Sequence, residues 1–312
     1  MKRLVAFLTC LVITWCAFTF HLPITASSAG LEVETDMPTM VYSEIDVIRE
    51  RQSMSDEELL LNGFTEEDIA NIRSFNIELA LIERASLDVE QLKGMGYSNE
   101  QIALLKNYDG SPLTADSPVL AAAATCTGYI TNDRYDAVNN TLAFTYRFLW
   151  SNVPLYQYTD VFSLTWQAVN DNALAISSSA NVVMAYVMYI STTTGEFINQ
   201  TNLTTSIVPG FNGYRASYDV CIPYQGSADT LWIWAERGTM HVQVKPDGAN
   251  TLNIIKAYGA VAHKKIVGSY SVGYTPGANM AFSFSYTPNW VFDTLGVAAY
   301  SLGRNGQCVP LQ

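Results

Sequence analysis

Residues 141–150 read Thr-Leu-Ala-Phe-Thr-Tyr-Arg-Phe-Leu-Trp. Leu142, Phe144, Tyr146, Phe148 and Trp150 alternate with Ala143, Thr145, Arg147 and Leu149. A period of two predicts a strand with one face in a core and the other turned outward. The pattern recurs downstream: Met240, Val242 and Val244 alternate with His241, Gln243 and Lys245. Lys245-Pro246-Asp247-Gly248 then predicts a turn that returns residues 251–258 as a hairpin partner. Further strands are expected at 161–169, 182–190, 214–222, 230–236, 266–273 and 279–286. Many short strands with turns between them imply an antiparallel β-sandwich or barrel over residues 126–312. At 187 residues this region is large enough to bury its own core.

Upstream the pattern changes. Residues 43–75 and 76–108 align without a gap as a 33-residue tandem repeat. Glu50-Arg51 matches Glu83-Arg84, Leu59 matches Leu92, Gly63-Phe64-Thr65 matches Gly96-Tyr97-Ser98, and Ile69-Ala70 matches Ile102-Ala103. Each copy predicts three short helices: about 44–52, 55–61 and from 65 onward in the first, and 77–85, 88–94 and from 98 onward in the second. Gly63 and Gly96 stand where a left-handed residue ends the second helix. Thr65 and Ser98 stand where a hydroxyl caps the third, with Asp68 and Gln101 placed to reach back. Residues 109–125, punctuated by Gly110, Pro112 and Pro118, are expected to link the two parts. The predicted fold class is therefore α + β in separate domains: a small helical tandem repeat at 43–108, then the antiparallel β domain.

The run Leu92-x-x-Met95-Gly96-Tyr97-Ser98-x-x-Gln101-Ile102 resembles the ubiquitin-associated domain family, whose first helix ends in a Met-Gly-Phe/Tyr loop. The resemblance implies a compact helical module and a partner-docking patch at Met95, Gly96 and Tyr97, with Phe64 as the counterpart in the first copy. Asn62 replaces the methionine there. More broadly, the layout is similar to secreted proteins of Gram-positive bacteria in which Gly-Tyr-Ser-x-Glu-Gln-Ile helical repeats precede a β-rich domain. That kinship implies no activity.

Met1-Lys2-Arg3, an apolar run from Leu4 to Phe20 and small residues at 26–29 read as a secretory signal peptide over residues 1–29, cleaved after Ala26 or Ala29. A retained anchor is the alternative reading. No later stretch has about 20 uninterrupted apolar residues, so stable membrane insertion after signal removal is not expected. Residues 30–108 hold 17 acidic and 6 basic side chains, a net of −11; residues 126–312 hold 10 and 9, a net of −1. That balance gives nucleic acid and anionic surfaces nothing to bind. The acidic segment is either a solvated helical face or a docking surface for a basic partner. Cys126, Cys221 and Cys308 follow the signal: Cys126 and Cys308 bridge, or all three stay reduced.

Catalytic patterns are sparse. His241 and His263 read as surface histidines, and neither a His-Glu-x-x-His motif nor a nucleophile elbow occurs. Asp160, Glu196, Asp219 and Glu236 are candidates for a hydrolytic carboxylate pair. Asn132 to Asp136 and Asn170 to Asn172 gather oxygen ligands but read as turns rather than calcium loops, so no metal or cofactor is expected. Trp232, Trp234 and Glu236 share one face of a strand. Exposed, such a row stacks on sugars or aromatic groups; buried, it is core. The Ser/Thr-rich 177–207 region raises pore formation as a further class, although Val182 to Ile190 reads as a strand buried on both faces. The functional expectation is a secreted, non-catalytic binding protein with an extracellular or cell-surface partner. A secreted hydrolase and a pore-forming β protein are the alternatives.

Overall fold

A computed structural model describes residues 40–61, 64–155, 159–208, 212–224, 231–266 and 290–311. The signal segment, most of the strand candidate at 266–273 and all of that at 279–286 lie outside these residues. So do Asn62, Gly63 and the side chains of His263 and Trp290.

A short strand β1 (Met40–Ser43) leads into six helices: α1 (Glu44–Ser53), α2 (Asp56–Leu61), α3 (Glu66–Ser74), α4 (Ile77–Ser86), α5 (Val89–Gly94) and α6 (Asn99–Lys106). The starts of α1, α2 and α3 recur 33 residues later in α4, α5 and α6, the period read from the sequence. Capping explains where the helices begin. Thr65 with Asp68 and Ser98 with Gln101 form reciprocal capping boxes, and Asp88 with Gln91 adds a third at α5. Gly96, at φ +88°, supplies the left-handed residue that ends α5.

After a 3-10 helix at Pro118–Ala122, the remaining described elements are strands: β2 (Thr125–Asp136), β3 (Thr141–Trp150), β4 (Thr159–Val169), β5 (Ala175–Ile176), β6 (Ser178–Ser191), β7 (Phe197–Asn202), β8 (Thr205–Ile207), β9 (Asn212–Asp219), β10 (Cys221–Tyr224), β11 (Leu231–Pro246), β12 (Ile254–Ile266), β13 (Trp290–Gly303) and β14 (Cys308–Pro310). They form two antiparallel sheets that do not close into a barrel. The first runs β1-β2-β3-β11-β6-β7, with β10 also on β11; the second runs β14-β13-β12-β4-β9-β8, with β5 on β4. Their inner faces meet through the alternation read from 142–150. Phe148 packs edge-on against Phe162 at 5.1 Å and stacks on Tyr218 at 5.3 Å, while Phe144 meets Trp166 at 6.2 Å. Gly259 leaves room for the Tyr146 ring, since a Cβ there would sit 2.1 Å from it.

Three expectations change. Residues 251–258 do not form a hairpin with β11: β12 lies in the opposite sheet, between β4 and β13. Asp247 is the physical reason. It accepts hydrogen bonds from Ser177 and Ser179 and donates its own N–H to the Ser177 carbonyl, which ties the turn to the start of β6 and sends the chain across. Residues 182–190 are not buried on both faces, because Met184 is 55% exposed on the outer side of β6. The stretch read as a linker is also not a break in packing. The described residues from Met40 onward belong to one compact unit, and Val119, Ala122, Ala123 and Ala124 are buried in the same core as Leu92, Ile102 and Trp150. Small alanines permit this by letting the chain pass close beneath α6.

Candidate functional site

The two groups of residues singled out on separate parts of the sequence meet each other. β11 pairs Ile233 with Ser191 and Ala235 with Tyr189, and a bulge follows between Ala235 and Arg237. The bulge turns Ile233 and Ala235 inward and leaves Trp232 and Trp234 on the outer face of the first sheet. Trp234 is nonetheless fully buried, because the loop after α5 lies over it. A Cβ on Gly96 would fall 3.2 Å from the Trp234 ring and 3.0 Å from the Asn152 backbone. Next to it, a Cβ on Gly94 would fall 2.4 Å from the Thr193 carbonyl carbon, in the turn that joins β6 to β7.

Polar contacts fix this junction. The Val153 N–H donates to the Met95 carbonyl at 2.9 Å, and Asn152 donates to the Ala122 carbonyl at 3.2 Å. Arg84, itself buried, donates to the Pro154 carbonyl at 3.0 Å and to the Met95 sulfur at 3.2 Å, and its guanidinium lies 6.0 Å from the Tyr97 ring centre. Glu44, also buried, accepts from the Leu155 N–H at 2.9 Å. Burial pushes the Tyr97 hydroxyl up to about 12, against the lowering effect of Arg84. Asn152 Oδ1 and Trp234 Nε1 are buried and have no hydrogen-bond partner among the described residues. Each such atom costs about 1–3 kcal/mol, so the junction is packed tightly but is not fully satisfied.

Met95 and Tyr97 are therefore buried, and the loop that the resemblance assigns to a partner protein grips the chain's own sheet. Phe64 is also covered. It belongs to a separate small core with Leu59, Ile69 and Ile72, and the Arg51 guanidinium lies 5.7 Å from its ring centre. Of the aromatic row, only Trp232 reaches solvent, at 54% exposure. Its backbone is held firmly: its carbonyl accepts the Thr192 N–H at 3.0 Å and the Thr192 hydroxyl at 2.9 Å. Its cross-strand neighbour is Pro223, likewise exposed. Glu236 occupies the bulge and is ion-paired with Arg237 rather than aligned with the tryptophans.

Of the four candidate carboxylates, Asp160 and Glu236 are engaged within the chain. Asp160 is buried between the sheets, where it accepts a hydrogen bond from the Tyr218 hydroxyl at 3.2 Å. Trp150 donates to that hydroxyl in turn at 3.4 Å. Burial, with the negative charge of Asp160 beside it, holds the Tyr218 hydroxyl well above its ordinary value. The Asp219 carbonyl accepts from the Tyr189 hydroxyl at 2.9 Å. Among the described residues, Cys126, Cys221 and Cys308 are free thiols. Cys308 Sγ lies 3.3 Å from the Ile130 carbonyl, four residues along β2 from Cys126. Four strand residues span roughly 13 Å, beyond the reach of a disulfide.

One constellation was missed. Asn132 to Asp136 is strand rather than turn, and a bulge between Asn132 and Arg134 aims Asp133 across β3 at β11. His241 Nδ1 lies 3.1 Å from Asp133 Oδ2 and 2.9 Å from Thr145 Oγ1. The Thr145 hydroxyl also donates to Asp133, as does that of Thr131 at 2.7 Å, and Arg147 donates to Thr131 at 2.8 Å. Burial opposes the Asp133 charge, but hydrogen bonds from His241, Thr145 and Thr131 outweigh it and hold the carboxyl below its ordinary value. An ionised carboxylate only accepts, so Nδ1 carries the proton and Nε2 of a neutral ring is left as the acceptor. Only the strand order reveals this, because Asp133 and His241 are 108 residues apart. Asn170 to Asn172 does form a turn, with Asn170 Oδ1 accepting the N–H groups of Asn172 and Leu174.

No protein-family model matches the chain, and no curated protein matches it. Two solved structures show distant likeness. AvmM, which catalyzes macrocyclization in alchivemycin A biosynthesis, is 11% identical with a TM-score of 0.23, over 57% of this chain and 88% of that one. Clostridium perfringens delta-toxin is 7% identical with a TM-score of 0.19, over 61% of this chain and 88% of that one. Likeness at this level carries no argument about activity. Among the described residues, no helix is long and apolar enough to cross a membrane, and no group of histidine, cysteine and acidic side chains is arranged to hold a metal.

Proposed function

We propose that this is a secreted, non-catalytic binding protein that uses the outer face of its first sheet, around Trp232, to hold an extracellular or cell-surface ligand. The observation that carries this reading is a large aromatic side chain, 54% exposed, on backbone anchored from two strands. A rigid, exposed indole loses little conformational entropy on binding and presents a flat apolar face to a sugar ring or an aromatic side chain. Trp234 supports that face from below the helical cover. The test is retention of isolated cell-wall polymer and of defined oligosaccharides by the chain from residue 30 onward, compared with Trp232→Ala. Loss of retention in the variant supports the reading. Equal retention by both proteins overturns it.

The hydrolase reading has one specific observation in its favour, the Asp133–His241 pair. A carboxylate that orients an imidazole is half of the machinery that activates a nucleophile. Turnover on a panel of ester, amide and glycoside substrates that disappears in His241→Ala would make this the better reading.

A further inference from the structure

The tandem repeat provides an internal comparison. In the second copy, the end of α5 is covered: Gly94 meets the turn between β6 and β7, and Met95 is buried beside it. The same positions in the first copy are Leu61 and Asn62, 33 residues earlier. There α2 ends in Leu60, 49% exposed, and Leu61, 88% exposed, while Leu59 is buried in the small core with Phe64, Ile69 and Ile72. Where one copy seats a β turn, the other presents two adjacent leucines. A leucine in place of glycine makes the first copy a knob where the second is a socket.

Charge selects what covers that knob. Residues 43–75 hold 9 acidic and 3 basic side chains, a net of −6, against 5 and 3, a net of −2, in residues 76–108. Glu57 and Glu58 are exposed on α2, the helix that carries the leucines, and Glu66 and Glu67 are exposed at the start of the next helix, α3. The basic residues nearby are committed elsewhere. Arg73 binds Asp56 and the carbonyls of Gln52 and Met54, and Arg51 lies over Phe64. A second copy would bring the same acidic face. The preceding segment 30–39 carries Glu32, Glu34 and Asp36 and no lysine or arginine. Like charges disfavour both as occupants.

We propose that Leu60 and Leu61, with their rim of glutamates, form a docking site for a basic amphipathic segment of another polypeptide. Its apolar side covers the leucines and its lysines or arginines pair with Glu57, Glu66 and Glu67. This surface is distinct from Trp232 and does not depend on what Trp232 holds.

The test uses the chain from residue 30 onward and a fluorescein-labelled synthetic 18-residue peptide of lysine and leucine in amphipathic helical order. A lysine-only peptide of equal charge is the control. Fluorescence anisotropy is expected to show saturable one-to-one binding, weakened about tenfold or more by Leu61→Asp and held within about twofold by Leu61→Met. The triple change Glu57→Gln, Glu66→Gln, Glu67→Gln is expected to weaken binding and flatten its salt dependence. Circular dichroism and thermal melting check that each variant remains folded. No binding, equal binding of the lysine-only peptide, or indifference to Leu61→Asp would overturn the proposal. So would a wild-type dimer in sedimentation equilibrium that Leu61→Asp makes monomeric, because a second copy would then be the occupant.

Discussion

Replacing Gly94 with alanine tests the docking of the helical repeat through the sign of a stability change. Gly94 is the last residue of α5, and helix propensity alone makes alanine more favourable there by up to about 1 kcal/mol. The structure predicts the opposite outcome. The new Cβ would lie 2.4 Å from the Thr193 carbonyl carbon and 2.5 Å from the carbonyl oxygens of Thr192 and Thr193, whereas ordinary contact begins at 3.4 Å. All three atoms belong to the backbone, so no side chain can swing aside, and the gap must open by roughly 1 Å. Overpacking of this kind costs about 1–3 kcal/mol, and the upper part of that range applies against backbone. After the propensity gain, a net loss of about 1–2 kcal/mol is expected. Urea unfolding followed by circular dichroism measures it. In a Trp232→Phe background, which retains Trp150, Trp166 and Trp290, uncovering Trp234 should shift the emission maximum to the red relative to the same background with Gly94 intact. Leu61→Ala, at the matching position of the first copy, should stay within about 0.5 kcal/mol. A Gly94→Ala protein as stable as the parent, or more so, with unshifted emission, would refute the seating of the α5 loop on the sheet.

Trp232→Ala should leave the melting temperature nearly unchanged, because the indole is more than half exposed, while ligand retention falls; calorimetry alongside the binding assay separates the two effects. High pH should loosen the junction. Burial raises Tyr97 from 10.0 and Cys221 from 9.0, each to about 12, so the unfolded chain loses these protons first. Their contribution to stability is complete below pH 9 and is lost as pH rises toward 12, which urea midpoints across that range would show. Asp133 has the opposite sign. Its lowered carboxyl stabilises the fold above its ordinary value of 3.8 and stops doing so as pH falls through the folded value, so Asp133→Asn should flatten the acid limb of the stability curve. A thiol reagent should label native Cys126 and Cys221 far more slowly than unfolded protein, since burial raises both above 9.0 and hinders access. Rapid labelling of either would contradict the described packing.

Local patterns in the sequence predicted local structure well. The repeat period, the capping boxes at Thr65 and Ser98, the left-handed Gly96 and the strand at 142–150 each depend on neighbours within a few residues, and each is found. The exceptions depend on distant partners. Lys245-Pro246-Asp247-Gly248 carries a hairpin signal, but Ser177 and Ser179 capture Asp247 and redirect the chain. The alanines at 121–124 read as linker because small side chains contribute little core volume alone, although their size is what lets α6 approach. Trp234 and Gly96 each carried a binding signal, and nothing in the sequence showed that they pack against each other. Asp133 and His241 were hidden for the same reason, since a bulge sets the aim of Asp133.

The helical cover over Trp234 also bears on how the outer face of the first sheet is used. A loop that seats glycine backbone over an indole, yet leaves the Trp234 N–H and the Asn152 side-chain oxygen without partners among the described residues, is tighter in shape than in hydrogen bonding. Shape complementarity keeps the repeat in place, while the two unpaired atoms offset part of that gain by about 1–3 kcal/mol each. Trp234→Phe removes the unpaired donor and most of its cost while keeping an aromatic ring under Gly96. The smaller ring also gives up contact with the loop, at about 1–2 kcal/mol by analogy with other large-to-smaller core changes. The two effects nearly cancel, so Trp234→Phe should change stability by less than about 1 kcal/mol, whereas Trp234→Ala should cost about 3–5 kcal/mol. If Trp234→Phe proved as damaging as Trp234→Ala, the indole N–H would have to be bonded in the folded protein. The junction would then be held by polar contacts as much as by shape.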